Sequence, residues 1–162
     1  MSKTLKTILI IVGIVIVLAA MFVKPYNKMV QKDEECSKAW ANVENAYQRR
    51  MDLIPNLVKA VEGAANFEKG TLTEVIEARA KATSVQVDPS NLTEESIAKF
   101  QAAQDQLSSA LSRLMVVVER YPELKANQNF LELQAQLEGT ENRIAVERGK
   151  YNETVNDYNS YI

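Results

Sequence analysis

The chain has 162 residues, with 19 basic and 21 acidic side chains, one cysteine and no histidine. Without histidine, the commonest general base and the commonest metal ligand are both missing. The lone cysteine, Cys36, permits neither an internal disulfide nor a cysteine-type zinc site.

Charge is unevenly placed. Residues 1–24 carry Lys3, Lys6 and Lys24 and no acid, which leaves 16 cations against 21 acids in residues 25–162. A domain of that sign repels phosphate backbones and shows no basic stripe interleaved with aromatics, so nucleic acid is not an expected partner. Five glycines and four prolines, in a chain rich in Ala, Glu, Lys, Leu, Gln and Asn, point to helix rather than sheet.

Residues 7–23, TILIIVGIVIVLAAMFV, hold seventeen positions without a charge, closed by Lys24 and Pro25. About 17 apolar residues is the lower limit for a spanning helix; Leu5 and the stems of Lys6 and Lys24 extend the run. A helix apolar on every face needs lipid or a deep core to cover it. A cleaved signal peptide is the rival reading, but the small-residue site at residues 17–19 is poor, and Met21 stands where a lipoprotein signal needs cysteine. Residues 1–24 are therefore read as an uncleaved, single-pass anchor and residues 25–162 as one helical domain. Lys24, Lys28, Lys32 and Lys38 after the span outnumber Lys3, Lys6 and the α-amine before it, a small tilt toward a cytoplasmic domain that leaves sidedness open.

After Pro25, apolar residues recur at alternating three- and four-residue steps, the period of helices packed at shallow angles as in coiled coils. Met29, Cys36, Trp40, Val43, Tyr47 and Ile54 form a first seam, with Asp33 and Arg50 as polar intruders. Ile54, Leu57, Val58, Val61, Ala65, Leu72, Val75 and Ile76 form a second. A third holds Ile97, Phe100, Gln104, Leu107, Leu111, Leu114, Val118 and Tyr121. The fourth runs Phe130, Leu133, Leu137, Ile144, Tyr151, Val155, Tyr158 and Ile162.

Residues 83–90 read as a linker, and Asn91 with Glu94 has the form of a capping box opening the third helix. Pro122 interrupts the next junction, with Asn127 as N-cap of the fourth helix. Pro55 either kinks one long helix or opens a new one capped by Asp52. The similar lengths of stretches 26–52, 55–83, 93–121 and 128–162 favour a reversal near Pro55. The expected fold is all-α: an N-terminal transmembrane helix followed by an antiparallel up-and-down four-helix bundle. An even helix number returns the C-terminal end to the membrane-proximal side. There the Tyr-Asn-x-x-Val patterns of residues 26–30 and 151–155 would meet, unless their repetition is chance.

The sequence offers no catalytic, cofactor-binding or metal residue. A four-helix di-metal centre needs Glu-x-x-His motifs, and no EF-hand loop, phosphate-binding glycine loop or nucleophile elbow is present. Cys36 on the apolar seam reads as a small buried hydrophobe. Arg50, Asp52, Asn56, Glu68, Arg79, Glu119, Glu141 and Arg148 lie near the seams, so some of them are expected to pair between helices; spacing does not choose the pairs.

The run RRMDLIPNLV at residues 49–58 resembles the central signature of the LemA family. So do EAR at 77–79, ERYPEL at 119–124, and the closing set Phe130, Leu133, Leu137, Glu141, Ile144, Arg148, Tyr151, Asn152, Val155, Tyr158 and Asn159. The resemblance covers about residues 5–162. It implies a bacterial inner-membrane protein with one N-terminal transmembrane helix, its short N-terminus outside, and a four-helix domain of no assigned biochemical activity. It also implies a further segment beyond the second Tyr-Asn, where this chain stops at Ile162.

Function is expected to be non-enzymatic, with the lipid bilayer as a partner and no small-molecule substrate. Homo-oligomeric assembly or scaffolding is the leading expectation, because residues 114–118, LMVVV, and Leu131 widen the apolar stripe beyond one core face. The alternatives are an adaptor for an envelope protein such as a protease or sensor, and, less favoured, a carboxylate-only metal enzyme.

Overall fold

A computed structural model of the chain describes residues 3–64, 67–89 and 91–162. Helix α1, Lys3–Glu62, runs unbroken for 60 residues, about 90 Å at 1.5 Å per residue. It is followed by α2 (Lys69–Ser84), α3 (Glu94–Val118), the single turn α4 (Pro122–Lys125) and α5 (Gln128–Tyr161), and no strand occurs among the described residues. The long helices run up and down as an antiparallel four-helix bundle, α1 packing along α5 and α2 along α3. The N-terminal part of α1 is the one segment among the described residues long and apolar enough to cross a membrane.

The expected reversal at Pro55 does not occur. Helix α1 ends at Glu62, about two helical turns later, and α2 begins at Lys69. Pro55 has no N–H for the carbonyl four residues back, which is that of Met51. Arg79 of α2 donates its Nε–H to this carbonyl at 2.9 Å. Met51, Ile54, Leu57 and Val58 around the proline are all buried, at about 1.5–3 kcal/mol each. Together these outweigh the cost of an interior proline, about 3 kcal/mol, so the helix continues. Asp52 is no cap; its carboxylate accepts from Gln48 Nε2 within the same helix at 2.7 Å.

The core divides into two halves. The half farther from the apolar run gathers Ile54, Leu57, Val61, Val75, Leu107, Leu114 and Phe130 with their neighbours. The proximal half is aromatic: Trp40 meets Phe100 and Tyr151 edge-on at 5.5 and 5.1 Å, and Tyr47 meets Phe100 at 5.2 Å. Helix α2 is too short to cover this half. The connection after it does so with buried Val87 and half-buried Val85 and Leu92, and Ser37 Oγ donates to the Pro89 carbonyl at 2.9 Å. The segment expected to be a linker thus begins with the last two residues of α2 and contributes Val85 and Val87 to the packing; Ser90 lies outside the described residues, as does Ala65 of the second seam.

Side chains cap the starts of α3 and α5. Asn127 Oδ1 accepts from the Phe130 N–H at 3.2 Å, as expected. The capping box of α3 lies two residues beyond the expected one: Thr93 Oγ1 accepts from the Ser96 N–H, and Ser96 Oγ accepts from the Thr93 N–H, both at 3.2 Å. The last turn of α5 does return to the start of the domain, where Tyr161 Oη donates to the Pro25 carbonyl at 3.2 Å. Tyr151 packs on Trp40 instead, so the two Tyr-Asn-x-x-Val segments are offset along the α1–α5 pair and do not meet.

Arg79→Ala, which leaves the Met51 carbonyl without a donor, is expected to cost about 1–3 kcal/mol. Pro55→Ala restores an N–H in reach of that carbonyl. In a thermal-denaturation double-mutant cycle, Arg79→Ala should therefore cost clearly less in the Pro55→Ala background. Equal costs in both backgrounds would contradict this account of the proline.

Candidate functional site

Arg50 lies at the junction of the two core halves and is 1% exposed. It falls on the first seam between Tyr47 and Ile54, so the helix that buries those residues buries the guanidinium as well. Nη1 donates to Ser108 Oγ at 2.6 Å and to Glu141 Oε1 at 2.7 Å. Nη2 donates to the Gln104 carbonyl at 3.1 Å and to its Oε1 at 2.7 Å. The guanidinium also stands 5.1 Å from the centre of the Tyr47 ring, within cation–π range. One side chain of α1 thereby ties α3 to α5.

This node is built for holding helices. Four hydrogen bonds in a fork use the planar geometry that lysine lacks. Arg50 Nε and Gln104 Nε2 are buried without a hydrogen-bond partner. Glu141 is half exposed, so its carboxylate stays hydrated on one side. Burial pushes the Tyr47 hydroxyl above its usual range, against the opposing pull of Arg148 and Arg50.

The other polar residues near the seams divide clearly. Glu68 pairs with Arg120 at 3.2 Å and Glu119 with Lys125 at 2.7 Å, all exposed and worth about 0–1 kcal/mol each. Arg148 lies beside Tyr47, and Arg79 serves the Met51 carbonyl. Sequence reasoning passed over Glu147, which is 3% exposed and sits between Arg143 at 2.9 Å and Lys150 at 3.1 Å. Its spacing marked it, since it lies between Ile144 and Tyr151 on the fourth seam, as buried Thr140 does between Leu137 and Ile144.

Residues 114–118 are mostly covered within the bundle, contrary to expectation. Leu114, Val117 and Val118 are buried, Met115 packs against the distal core, and Val116 is exposed. Ile76, Leu131 and Val146 are also exposed on the bundle. An open groove between α3 and α5 has Leu111, Met115 and Leu137 on its walls, with Ser108, Glu138 and Glu141 among its polar lining. Among the described residues, no three His, Cys, Asp or Glu side chains gather as a metal-binding set.

Fold and site together define a helical-bundle protein led by an apolar helix, its buried cation engaged in holding helices to one another. Residues 39–162 match the LemA family, and the chain belongs to it; the motif resemblance is borne out. It is 25% identical over 142 residues to Protein LemA of Metamycoplasma hominis, which covers 88% of this chain and 61% of the relative. It is 27% identical over 165 residues to Magnetosome protein MamQ 2 of Paramagnetospirillum magneticum, covering 91% of this chain and 61% of that one. With Magnetosome protein MamQ of Magnetospirillum gryphiswaldense it shares 26% over 154 residues, covering 85% and 57%. The chain therefore spans about three-fifths of the length of these curated relatives.

Arg50→Lys keeps the charge but cannot reproduce the fork to α3 and α5, so a loss of about 1–3 kcal/mol is expected in chemical denaturation. Glu141→Gln, which keeps an acceptor for Nη1 at a half-exposed position where solvent screens the lost counter-charge, should cost less, and a larger loss than for Arg50→Lys would contradict the assignment. Burial, the largest influence on the Cys36 thiol, pushes it above its usual range. Alkylation at neutral pH should then be slow in the folded protein and fast in denaturant; equal rates would show that the thiol is not packed.

Proposed function

We propose that this chain is a membrane-anchored, non-enzymatic scaffold that holds a rigid helical bundle on a bacterial inner membrane and assembles with further copies of itself. The continuity of α1 carries this reading, because no loop separates residues 7–23 from the buried seam that begins at Cys36. A bundle coupled in this way keeps a fixed height, and its distal end stands about 55 Å beyond Pro25 at 1.5 Å per residue. The lysines after the apolar run favour the cytoplasmic face. The absence of histidine and the engagement of Arg50 in helix contacts support a role without catalysis. Val116 and Leu131 are the side chains that self-assembly would use.

The α3–α5 groove favours a second reading, in which the partner is a helix of another envelope protein, seated on Leu111, Met115 and Leu137. Sedimentation of the detergent-solubilised full chain at micromolar concentration separates the two. Self-assembly predicts a multimer that Val116→Asp with Leu131→Asp shifts toward monomer. A particle that is monomeric throughout would remove the self-assembly reading.

A further inference from the structure

Beyond Ser37, where the connection from α2 crosses α1, the pair α1 and α5 continues toward the apolar run as a two-helix stem. Its tip is defined by two contacts. Tyr161 Oη donates to the Pro25 carbonyl at 3.2 Å, and Lys28 Nζ stands 5.2 Å from the centre of the Tyr161 ring. Pro25 lies two residues past the end of the apolar run, so the last turn of α5 reaches the level at which α1 would leave the hydrocarbon.

The composition at this level fits an interface. Three of the six tyrosines, Tyr26, Tyr158 and Tyr161, lie in these turns. Tyr26 is 62% exposed and Val30 39%, so apolar and amphipathic surface is left open beside the exit point of the span. Residues 24–32 carry Lys24, Lys28 and Lys32 and no acid, while residues 154–162 carry the single acid Asp157. Tyrosine rings with an apolar body and a polar tip, next to snorkelling lysines, suit the headgroup layer of a bilayer.

We propose that the C-terminal turn of α5, together with Tyr26 and Lys28 of α1, forms a lipid-binding surface seated in the headgroup layer of the bilayer that α1 crosses. The bundle then touches the membrane at two points, the anchor and the tip of α5. The seat resists rotation of the stem about the anchor, and its lysines favour anionic headgroups. This inference rests on the reading of residues 7–23 as a spanning segment.

The test uses the full chain in vesicles of phosphatidylcholine and phosphatidylglycerol that carry a headgroup-level nitroxide lipid. In a Cys36→Ser background, single cysteines bearing a fluorophore are placed by Ser160→Cys at the tip, Lys125→Cys at the distal end and Val15→Cys within the span. The Ser160 probe is expected to be quenched several-fold more than the Lys125 probe, and less so after Tyr26→Ser with Ile162→Ser. A lipid-borne quencher placed deep in the acyl chains should quench the Val15 probe. A Ser160 probe as free of lipid quenching as the Lys125 probe, with Val15 quenched, overturns the interfacial seat alone. Failure of the Val15 probe as well overturns the anchor reading and this inference together.

Discussion

Pro55, inside the bundle part of a 60-residue helix, leaves the Met51 carbonyl without its donor, and the architecture depends on another helix meeting that need. Arg79 of α2 meets it at Met51. The preceding residue, Arg50, sends its guanidinium to α3 and α5. One turn of α1 is thus read by each of the other long helices: by α2 through a backbone carbonyl, and by α3 and α5 through a buried cation. This is why α1 can pass through the bundle unbroken, and why the bundle has one register along it.

The two devices differ in energetic character. The carbonyl contact removes a penalty that Pro55 would otherwise impose. The buried cation is a weak source of net stability, because desolvation of the guanidinium offsets much of what its hydrogen bonds return. Its value lies in specificity. A one-turn slide of α3 or α5 past α1 would carry Gln104 and Ser108, or Glu141, about 5.4 Å from their places on the guanidinium. A fork that must meet Ser108, Gln104 and Glu141 at once does not tolerate such a shift. Stability comes from the flanking halves, one aliphatic and one built on the edge-on contacts of Trp40, Tyr47, Phe100 and Tyr151.

Much of this was legible in the sequence, because helical period reports burial directly. The first, third and fourth seams predicted Trp40, Val43, Tyr47, Phe100, Leu107, Leu114, Phe130 and Ile144 as core, and all are buried. Arg50 and Gln104 were visible as polar residues on those seams. Their partnership was not visible, because spacing along one helix says nothing of which face of another lies opposite. The reversal near Pro55 was misplaced for a similar reason: the compensating donor is 24 positions away, at Arg79. The α3 cap was missed by two residues because Asn91 and Glu94 satisfy the same pattern as Thr93 and Ser96. The self-assembly argument from residues 114–118 weakened because the bundle itself covers four of the five, leaving Val116.

Belonging to the LemA family fits a structure whose working parts are lengths, faces and heights. The central physical claim is that α1 is one continuous helix from the apolar run to the far end of the bundle, carried past Pro55 by contacts from its neighbours. The most direct measurement is the distance between nitroxide labels at Val17 and Lys59 in bilayer nanodiscs, by pulsed dipolar spectroscopy. A continuous helix predicts one narrow population near about 60 Å. A broad distribution, or a main distance of about 50 Å or less, would mean that the chain hinges or reverses at a proline and would contradict the account.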